Sequence, residues 1–392
     1  MFSELKHNIP KLYAMRIFRW FLLIMPIIYP FYRDLGFSMQ EIMWLPAAFS
    51  LSITLMEIPS GYLGDLFGRK KSLVVGHTIV FLGYLAYCFS YGFWELLTAE
   101  CLMGVGVSFI SGSDSAMMYD TLKQLNKTDD YVKVEGRNYA IGNFSEAAAG
   151  IMGAALAVQH LRLPFYVQTV LMGLGALFAF SLIEPKRTNK FSKSKNWENV
   201  QSAISFAFVQ NKDLLWFILF SSVMGCSTLT MAWYAQPYFE YSDIPLFYYG
   251  VLWAALNATV GIAAWFAHRA HDRFRNRNIS LFIIFAISIG FIGTALSPAM
   301  VGLVFIFLLY IGRGIASPVL VNFIHERTPS EMRATVLSMR SFIIRIAFAA
   351  LAPLLGYITD LWSLQTSLFL GGTMIFISAV TCYLVLIRIR QM

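Results

Sequence analysis

Long apolar blocks separated by short polar joints dominate the hydrophobicity pattern of this chain. Most blocks contain about 20 residues, the length that an α-helix needs to cross a hydrocarbon layer roughly 30 Å thick. Because water cannot satisfy the backbone inside a bilayer, each block is predicted to be a helix. The pattern predicts twelve spans, at residues 12–32, 39–62, 72–91, 94–121, 138–158, 164–183, 213–237, 246–267, 279–297, 299–322, 335–358 and 364–387.

The composition agrees with an all-α membrane protein. Hydrophobic residues make up 57% of the chain and charged residues 13%, whereas soluble proteins carry about 25% charged residues. The four cysteines are scattered through apolar blocks, which favours buried thiols over a disulfide framework or a metal site. The first apolar block follows Lys6 and Lys11 and lacks a small-residue cleavage site, so it is interpreted as a span and not as a signal peptide.

Lysine and arginine are distributed unequally between the joints. The joints after odd-numbered spans contain only Arg33 and Arg162, whereas the termini and the other joints are rich in basic residues. The positive-inside rule then predicts a multi-pass protein of the inner (cytoplasmic) membrane with both termini in the cytoplasm. The net charge of +8 is accordingly expected to face anionic lipid, and nucleic acid is not an expected partner.

One long basic joint divides the spans into two groups of six. It covers residues 186–212 and is interpreted as a cytoplasmic linker, with a short interfacial helix near Trp197. The predicted domains are therefore a six-helix bundle at 1–185, the linker, and a second six-helix bundle at 213–392.

The two groups of spans share sequence features. The segment GYLGDLFGRK at 61–70 has a weak counterpart, AHDRFRNR, at 270–277, and GVG at 104–106 has a counterpart in GRG at 312–314. Both offsets are close to 207 residues. Two parallel repeats of one architecture are therefore predicted.

The segment GYLGDLFGRKK at 61–71, which follows the second span, resembles the signature loop of the major facilitator superfamily. With the span count, the linker and the repeat, this resemblance covers the whole chain. It implies a bacterial-type secondary transporter, with two pseudo-symmetric six-helix bundles that give alternating access to a central site. It also implies a monomer without cofactors, whose partners are a small-molecule substrate, protons and the lipid bilayer.

The resemblance assigns this loop a conformational role outside the substrate site. Gly61 and Gly68 would allow a close helix approach and a tight turn. Asp65 is expected to accept hydrogen bonds from the N-terminus of the eleventh span, and Arg69 is expected to pair with Asp120 at the inner end of the fourth. These five residues form the predicted gate. The alternative is that the charges of the loop only set the topology.

The sequence differs from the family's drug antiporters at two places. Glu100 stands where many members have an arginine, four residues before the GVG of span four. Span five reads Gly142-xxx-Glu146-Ala147-xx-Gly150, whereas proton-driven exporters often have a Gly-Pro pair in its middle. Both differences weaken an interpretation as a drug exporter and leave the predicted fold unchanged.

Four acidic residues of the first half lie several positions inside the ends of predicted spans: Glu57, Glu100, Asp114 and Glu146. A charge at the bilayer centre costs about 2.5–3.5 kcal/mol even on lenient scales, so each is a candidate for proton coupling. On a continuous fourth helix, Glu100 and Asp114 would point within about 40° of each other. Structural roles are the alternative: Glu57 could hold the cytoplasmic mouth, and Glu146 could pair with an arginine such as Arg345.

In the family that the sequence resembles, spans one, four, seven and ten line the central cavity. Aromatic and polar residues there suit a medium-sized amphipathic ligand, although the aromatic residues could equally serve packing. The predicted substrate-binding residues are Tyr29, Ser111, Trp233, Tyr234, Arg313, Ser317 and Asn322, with Arg345 of span eleven. Arg16 and Arg19, near the start of span one, are interpreted as orientation determinants, and His77 as a packing residue.

The favoured function is proton-coupled transport of a small organic solute, with efflux slightly favoured. One alternative is transport, in either direction, of an anionic or metal-chelating, siderophore-like metabolite held by Arg313 and Arg345. A membrane sensor that has lost transport is a second alternative, against which the intact loop at 61–71 argues. An enzyme is not expected, because no nucleophile–base pair, metal-ligand spacing or phosphate loop is evident.

Overall fold

The computed structural model describes residues 5–185, 201–273 and 276–389, and these residues form helices and no strand. The predicted all-α fold is confirmed. Most of the linker, including the predicted helix near Trp197, lies outside the described residues. The main helices are α1 (Asn8–Trp20), α2 (Ile28–Asp34), α3 (Met39–Phe67), α4 (Arg69–Phe89), α5 (Phe93–Ile110), α6 (Ser113–Gln124), α7 (Tyr131–Gln159), α8 (Leu163–Phe180), α9 (Lys212–Tyr241), α10 (Phe247–Arg273), α11 (Asn276–Leu296), α12 (Ala299–Glu326), α13 (Arg333–Leu361) and α14 (Leu364–Arg388).

Eleven helical segments of the described residues are long and apolar enough to cross a membrane. They correspond to the second to twelfth predicted spans. The first predicted span is instead divided, because α1 ends at Trp20 and α2 begins only at Ile28. Pro26 and Pro30 disfavour a continuous helix at this point, since neither residue has a backbone N–H.

Neighbouring helices accommodate the break between α1 and α2. The backbone N–H of Leu23 donates to Oε1 of Gln168 over 2.8 Å, and Gln168 is completely buried on α8. On α7, Gly153 lies so close to the break that a Cβ there would overlap the carbonyl oxygen of Leu23. A break inside an apolar layer is tolerated only when protein groups satisfy the freed backbone in this way.

The fourth predicted span is also divided. α5 ends at Ile110 and α6 begins at Ser113, because Gly112 adopts a left-handed conformation with φ of 75°. The prediction that Glu100 and Asp114 share one face of a continuous helix is therefore wrong, and each carboxylate has its own set of neighbours.

The described residues form two compact units. Unit 1 contains residues 5–37, 44–185 and 245–254, and unit 2 contains the remaining described residues. In unit 1, α4 packs on α5 and α8, and α1 packs on α7 and α8. In unit 2, α11 packs on α12 and α14, and α9 packs on α13 and α14. The helices of the two units thus follow one packing pattern, as the sequence repeat predicts.

The glycines of the repeated GVG and GRG segments explain part of this pattern. A Cβ on Gly104 would lie 2.7 Å from the carbonyl oxygen of Phe49 on α3, and one on Gly106 would lie 2.8 Å from that of Gly76 on α4. A Cβ on Gly314 would lie 2.6 Å from the carbonyl oxygen of Val260 on α10. Small residues of these segments therefore let membrane helices approach closely in both units.

A long-range contact in unit 2 fixes the start of α3. The carboxylate of Asp360, at the end of α13, accepts hydrogen bonds of 2.8 Å from the backbone N–H groups of Met39 and Gln40. One helical turn before Asp360, Gly356 packs directly against the start of α3, since a Cβ there would lie 2.8 Å from the Met39 carbonyl oxygen. Asp360 thus satisfies two of the free donors at this helix N-terminus.

Candidate functional site

A narrow cavity of about 20 Å³, with room for about one water molecule, lies within unit 1. Its volume is far below the range of about 300–1,000 Å³ that is typical of small-ligand sites. Helices α1, α4, α5, α6 and α7 line it. The apolar lining consists of Leu12, Met15, Ile110 and Met118, and the polar lining consists of Arg16, Arg19, His77, Asp114 and Asn138.

Arg19 and Asp114 form an ion pair at this cavity, with 3.3 Å between Nη1 and Oδ2. Asp114 lies in the first turn of α6, and its Oδ1 accepts a hydrogen bond of 2.8 Å from the backbone N–H of Ser115. The positive end of the helix dipole and the guanidinium therefore both stabilise the charged carboxylate.

Arg16 lies one turn before Arg19 on α1. Its guanidinium stacks on the ring of Trp20, with 4.4 Å from Cζ to the ring centroid, a cation–π arrangement. Gly142 on α7 makes room for it, since a Cβ there would lie 2.7 Å from Nε. That Nε is buried without a hydrogen-bond partner, and no carboxylate of the described residues lies within 4.0 Å of the guanidinium.

Two further polar side chains of the cavity each have one buried atom that makes no hydrogen bond to the described residues. His77 is 3% exposed, and its Nδ1 lies 2.9 Å from the carbonyl oxygen of Leu73 while Nε2 has no partner. Asn138 is also 3% exposed, and its Oδ1 has no partner. Since a carbonyl oxygen can only accept, Nδ1 of His77 donates to it, and Nε2 of the neutral ring presents a lone pair.

Glu100 lies in a separate cluster in unit 1. Only 7% of Glu100 is exposed, and its Oε1 accepts hydrogen bonds from the hydroxyls of Tyr87, at 2.5 Å, and Tyr32, at 3.2 Å. The two phenol oxygens are 2.7 Å apart. No lysine, arginine or histidine of the described residues lies within 4.0 Å of this carboxylate.

The surroundings of the Glu100 cluster are aromatic and dry. The ring of Phe165 stacks on Tyr87 at 5.4 Å and contacts Phe31 at 4.2 Å between centroids. The nearby Arg162 is engaged elsewhere, because its guanidinium donates to the carbonyl oxygens of Tyr87, Cys88 and Ser90 at the end of α4. Glu100 is thus a buried acid whose direct polar partners, within the described part of the chain, are two phenols.

The other predicted residues of the first half are dispersed. Glu57 on α3 and Glu146 on α7 are half-buried, and Ser111 is exposed at the break between α5 and α6. Tyr29 is buried on α2. Asp114 alone of the predicted binding and coupling residues lines the cavity.

The predicted substrate-binding residues of the second half have mostly local contacts. Tyr234 is fully buried, and its hydroxyl lies 3.1 Å from that of Ser367, which indicates packing within unit 2. Arg313 lies over the ring of Tyr310 at 5.4 Å. Asn322 donates to Glu326 over 2.8 Å. Trp233 and Arg345 are half-buried, and Ser317 is exposed.

The predicted gate loop has a partner that the sequence did not suggest. Gly68 has φ of 116°, and the Glu184 carboxylate accepts hydrogen bonds from the backbone N–H groups of Arg69, at 2.9 Å, and Lys70, at 2.6 Å. Glu184 therefore caps α4. Gly61 and Asp65 lie on α3, and Asp120 is half-buried on α6.

Sequence reasoning missed Arg16, Arg19, His77 and Asn138 as site residues. A usable signal was present, because Leu12, Met15, Arg16 and Arg19 follow helical spacing and place two arginines on the face that lines the cavity. Their charge was interpreted as an orientation signal only. Tyr32 and Tyr87 carried no signal, since buried tyrosines are common in helical packing.

Comparisons with known proteins agree with this architecture. A sequence model of the Major Facilitator Superfamily matches residues 12–343. An uncharacterized transporter of Buchnera aphidicola is 28% identical over 221 residues, 56% of this chain and 53% of the relative. The quinolone resistance protein NorA of Staphylococcus aureus is 24% identical over 174 residues, 44% of each chain. This chain thus spans about half the length of these curated relatives.

A solved structure extends the likeness to the fold. The crystal structure of the nucleoside transporter NupG superposes with a TM-score of 0.79 at 14% identity, over 98% of this chain and 99% of that one. The chain, a multi-pass membrane protein with a buried acid in its first unit, belongs to the Major Facilitator Superfamily of transporters.

Proposed function

We propose that this transporter couples the movement of a small organic solute to that of protons, and that Glu100 binds the proton. The supporting observation is a buried carboxylate with two phenol donors and no cationic partner among the residues that the structure describes. An unpaired charge in an apolar layer is strongly disfavoured, and taking up a proton removes it. Asp114 is less suited to this role because Arg19 already balances its charge.

The phenols give proton uptake a mechanical consequence. Tyr32 belongs to α2 and Tyr87 to α4, while Glu100 belongs to α5. Hydrogen bonds to a charged carboxylate are about twice as strong as those to a neutral group. Proton uptake by Glu100 therefore weakens the contacts that join these three helices, and α2 becomes freer to move. Glu57 and Glu146 remain secondary candidates for coupling.

We infer that transport occurs across the cytoplasmic membrane by alternating access and that its direction is export. The matched relative NorA is named for quinolone resistance, which supports export. The capped loop at Gly68 supports a working transporter over a static sensor, because the family uses this loop to change conformation.

Proton coupling is tested with purified protein in liposomes that contain a trapped pH-sensitive dye. The solute panel comprises tetraphenylphosphonium, L-leucine and 4-methylpentanoate. Wild type is expected to move protons when a transported solute is added, whereas Glu100→Gln moves solute downhill without protons. Asp129→Asn, at an exposed position of the joint between α6 and α7, is the control and should behave as wild type.

An infrared titration provides a readout that needs no solute. The carboxylic-acid carbonyl band of wild type should grow as pH falls through the range in which transport is coupled, and Glu100→Gln should remove that component. If Glu100→Gln moves protons at the wild-type rate, Glu100 is not the coupling group.

A further inference from the structure

We propose that Arg162 is a positioning residue, which holds the hydroxyl groups of Tyr32 and Tyr87 on the Glu100 carboxylate without touching that carboxylate itself. This role rests on the proposed binding of a proton by Glu100 and adds the residue that orders its two donors. It follows from the burial of Arg162 and from its contacts with the chain segments that carry the two tyrosines.

Arg162 is unusual for its place in the chain. It is one of the two basic residues in the joints after odd-numbered spans, where basic residues are otherwise avoided. The other, Arg33, is exposed, whereas Arg162 is only 8% exposed. Arginine is rarely so deeply buried unless its guanidinium has partners. A specific set of contacts is therefore expected to account for its position.

The guanidinium of Arg162 closes the end of α4. Its Nη1 donates to the carbonyl oxygens of Tyr87, at 3.3 Å, and Cys88, at 3.2 Å, and its Nη2 donates to that of Ser90, at 2.9 Å. The last carbonyl groups of a helix have no partner within the helix, and a cation there also meets the negative end of the dipole. Because one of these carbonyl groups belongs to Tyr87, Arg162 fixes the backbone that carries a donor to Glu100.

The same guanidinium reaches the helix of the second phenol. Its Cζ lies 5.3 Å from the ring centroid of Phe31 and 3.9 Å from that of Tyr91, and both are cation–π contacts. Phe31 precedes Tyr32 on α2, and the centroids of their rings are 5.8 Å apart. Arg162 therefore contacts both segments that supply the phenols, α2 through a side chain and α4 through the backbone.

Phe165 adds a second contact from the start of α8. It lies three positions after Arg162, and residues at this spacing are neighbours on a helix surface. Its ring stacks on that of Tyr87, with 5.4 Å between centroids and 10° between planes, and its centroid lies 4.2 Å from that of Phe31. Tyr87 is thus held at its backbone by Arg162 and at its ring by Phe165.

The geometry at Glu100 depends on this support. The two hydroxyl oxygens lie 2.5 Å and 3.2 Å from one carboxylate oxygen and 2.7 Å from each other, and hydrogen bonds weaken steeply when such geometry is lost. Arg162 is not within 4.0 Å of the carboxylate, so it acts through the tyrosines. A cap with a structural role alone would stabilise α4 without affecting the hydrogen bonds of Glu100.

The carbonyl stretching band of protonated Glu100 tests the proposal, by infrared difference spectroscopy of the purified full-length protein in detergent at low pH. The band is identified as the component that Glu100→Gln removes. A carbonyl group vibrates at a higher frequency when it accepts fewer hydrogen bonds. Arg162→Gln is therefore expected to raise the frequency part of the way to that of a phenol-free variant, Tyr32→Phe with Tyr87→Phe.

Two further substitutions at basic residues serve as controls. Arg162→Lys should raise the frequency by less than Arg162→Gln, because lysine keeps the charge but lacks the planar fork that meets several carbonyl groups at once. Arg33→Gln removes the other basic residue of these joints, which is exposed and donates to the nearby carbonyl oxygen of Phe37. This variant should leave the frequency unchanged.

The phenol-free variant separates positioning from folding. In that background Arg162→Gln has no hydroxyl group to displace, so it should not move the band further, although it should still lower the melting temperature. Should Arg162→Gln fail to fold, Phe165→Leu takes its place, because it removes the stacking on Tyr87 and should raise the frequency only when the phenols are present. An unchanged frequency in every folded variant of Arg162 and Phe165, or an equal shift in both backgrounds, overturns the proposal.

The two proposals fail separately. A band that disappears in Glu100→Gln but keeps its frequency in Arg162→Gln would refute the positioning role alone and leave proton binding by Glu100 intact. Absence of any band that Glu100→Gln removes would refute proton binding, and the positioning role with it.

Discussion

Asp114 and Glu100 are only fourteen positions apart, but their neighbours give them different properties. Asp114 has a guanidinium at 3.3 Å and a helix N-terminus beneath it. Glu100 has two phenol hydroxyls inside an aromatic shell. The first arrangement sets a cation beside the carboxylate, and the second leaves the carboxylate without a cation among the described residues.

The Arg19–Asp114 pair gives a stability prediction. About a fifth of each side chain is exposed, so Arg19→Gln or Asp114→Asn alone should lower the free energy of unfolding by about 1–3 kcal/mol, because each leaves a charge without its partner. The double variant should lose less than the sum of the two. Unfolding measured in mild detergent checks this, and strictly additive losses would mean that the pair contributes no interaction energy.

Only part of the candidate site could be read from individual residues. Asp114 was predictable because a carboxylate inside an apolar block is conspicuous. Arg16 and Arg19 were equally conspicuous, but basic residues near a span end also occur as topology signals. The unused atoms of His77 and Asn138 depend on contacts between residues that are distant in the sequence, so no local pattern could show them.

Breaks in helices determine where these side chains stand. The break between α1 and α2 exists because Pro26 has no backbone N–H to donate. It is stable because Gln168 accepts a hydrogen bond from the Leu23 N–H, and because Gly153 leaves space for the Leu23 carbonyl group. These two partners lie more than 120 positions further along the chain. The sequence therefore predicted the apolar block 12–32 correctly and its interruption not at all.

Glycine substitutions in α7 test the importance of this break. Gly153→Ala should destabilise the protein by about 1–3 kcal/mol, because the new Cβ would overlap the Leu23 carbonyl oxygen and displace the segment. Gly136→Ala is the matched control on the same helix, where a Cβ would meet no atom within 4 Å. This control should stabilise the protein by about 0.4–1 kcal/mol. Comparable melting temperatures for the two variants would contradict the packing role of Gly153.

The sequence predicted the molecule as a whole better than its parts. Apolar block length, the repeat offset and the loop at 61–71 are properties of the membrane and of the family, so they need no knowledge of individual contacts. The comparisons confirm the family and the fold. The orientation of the chain in the membrane remains a prediction from the distribution of basic residues.

Cysteine labelling tests that orientation. In a variant without the four native cysteines, Lys127→Cys, between α6 and α7, should react with a membrane-impermeant maleimide only after the cells are opened, because its joint is basic. Ser297→Cys, between α11 and α12, should react in intact cells. The opposite pattern of labelling would place the termini outside.

The Asp360 contact also bears on how the molecule is made. The two N–H groups at the start of α3 donate to a carboxylate 321 positions later in the chain. They therefore lack this acceptor, and must wait for it, until nearly the whole chain has been synthesised. At about 5–20 residues per second, that wait lasts roughly 15–65 s. During this time the end of α3 depends on water, lipid head groups or the insertion machinery for hydrogen bonds. Truncation before residue 360 is therefore expected to expose this helix end to membrane quality control, even though every span of the first half is present.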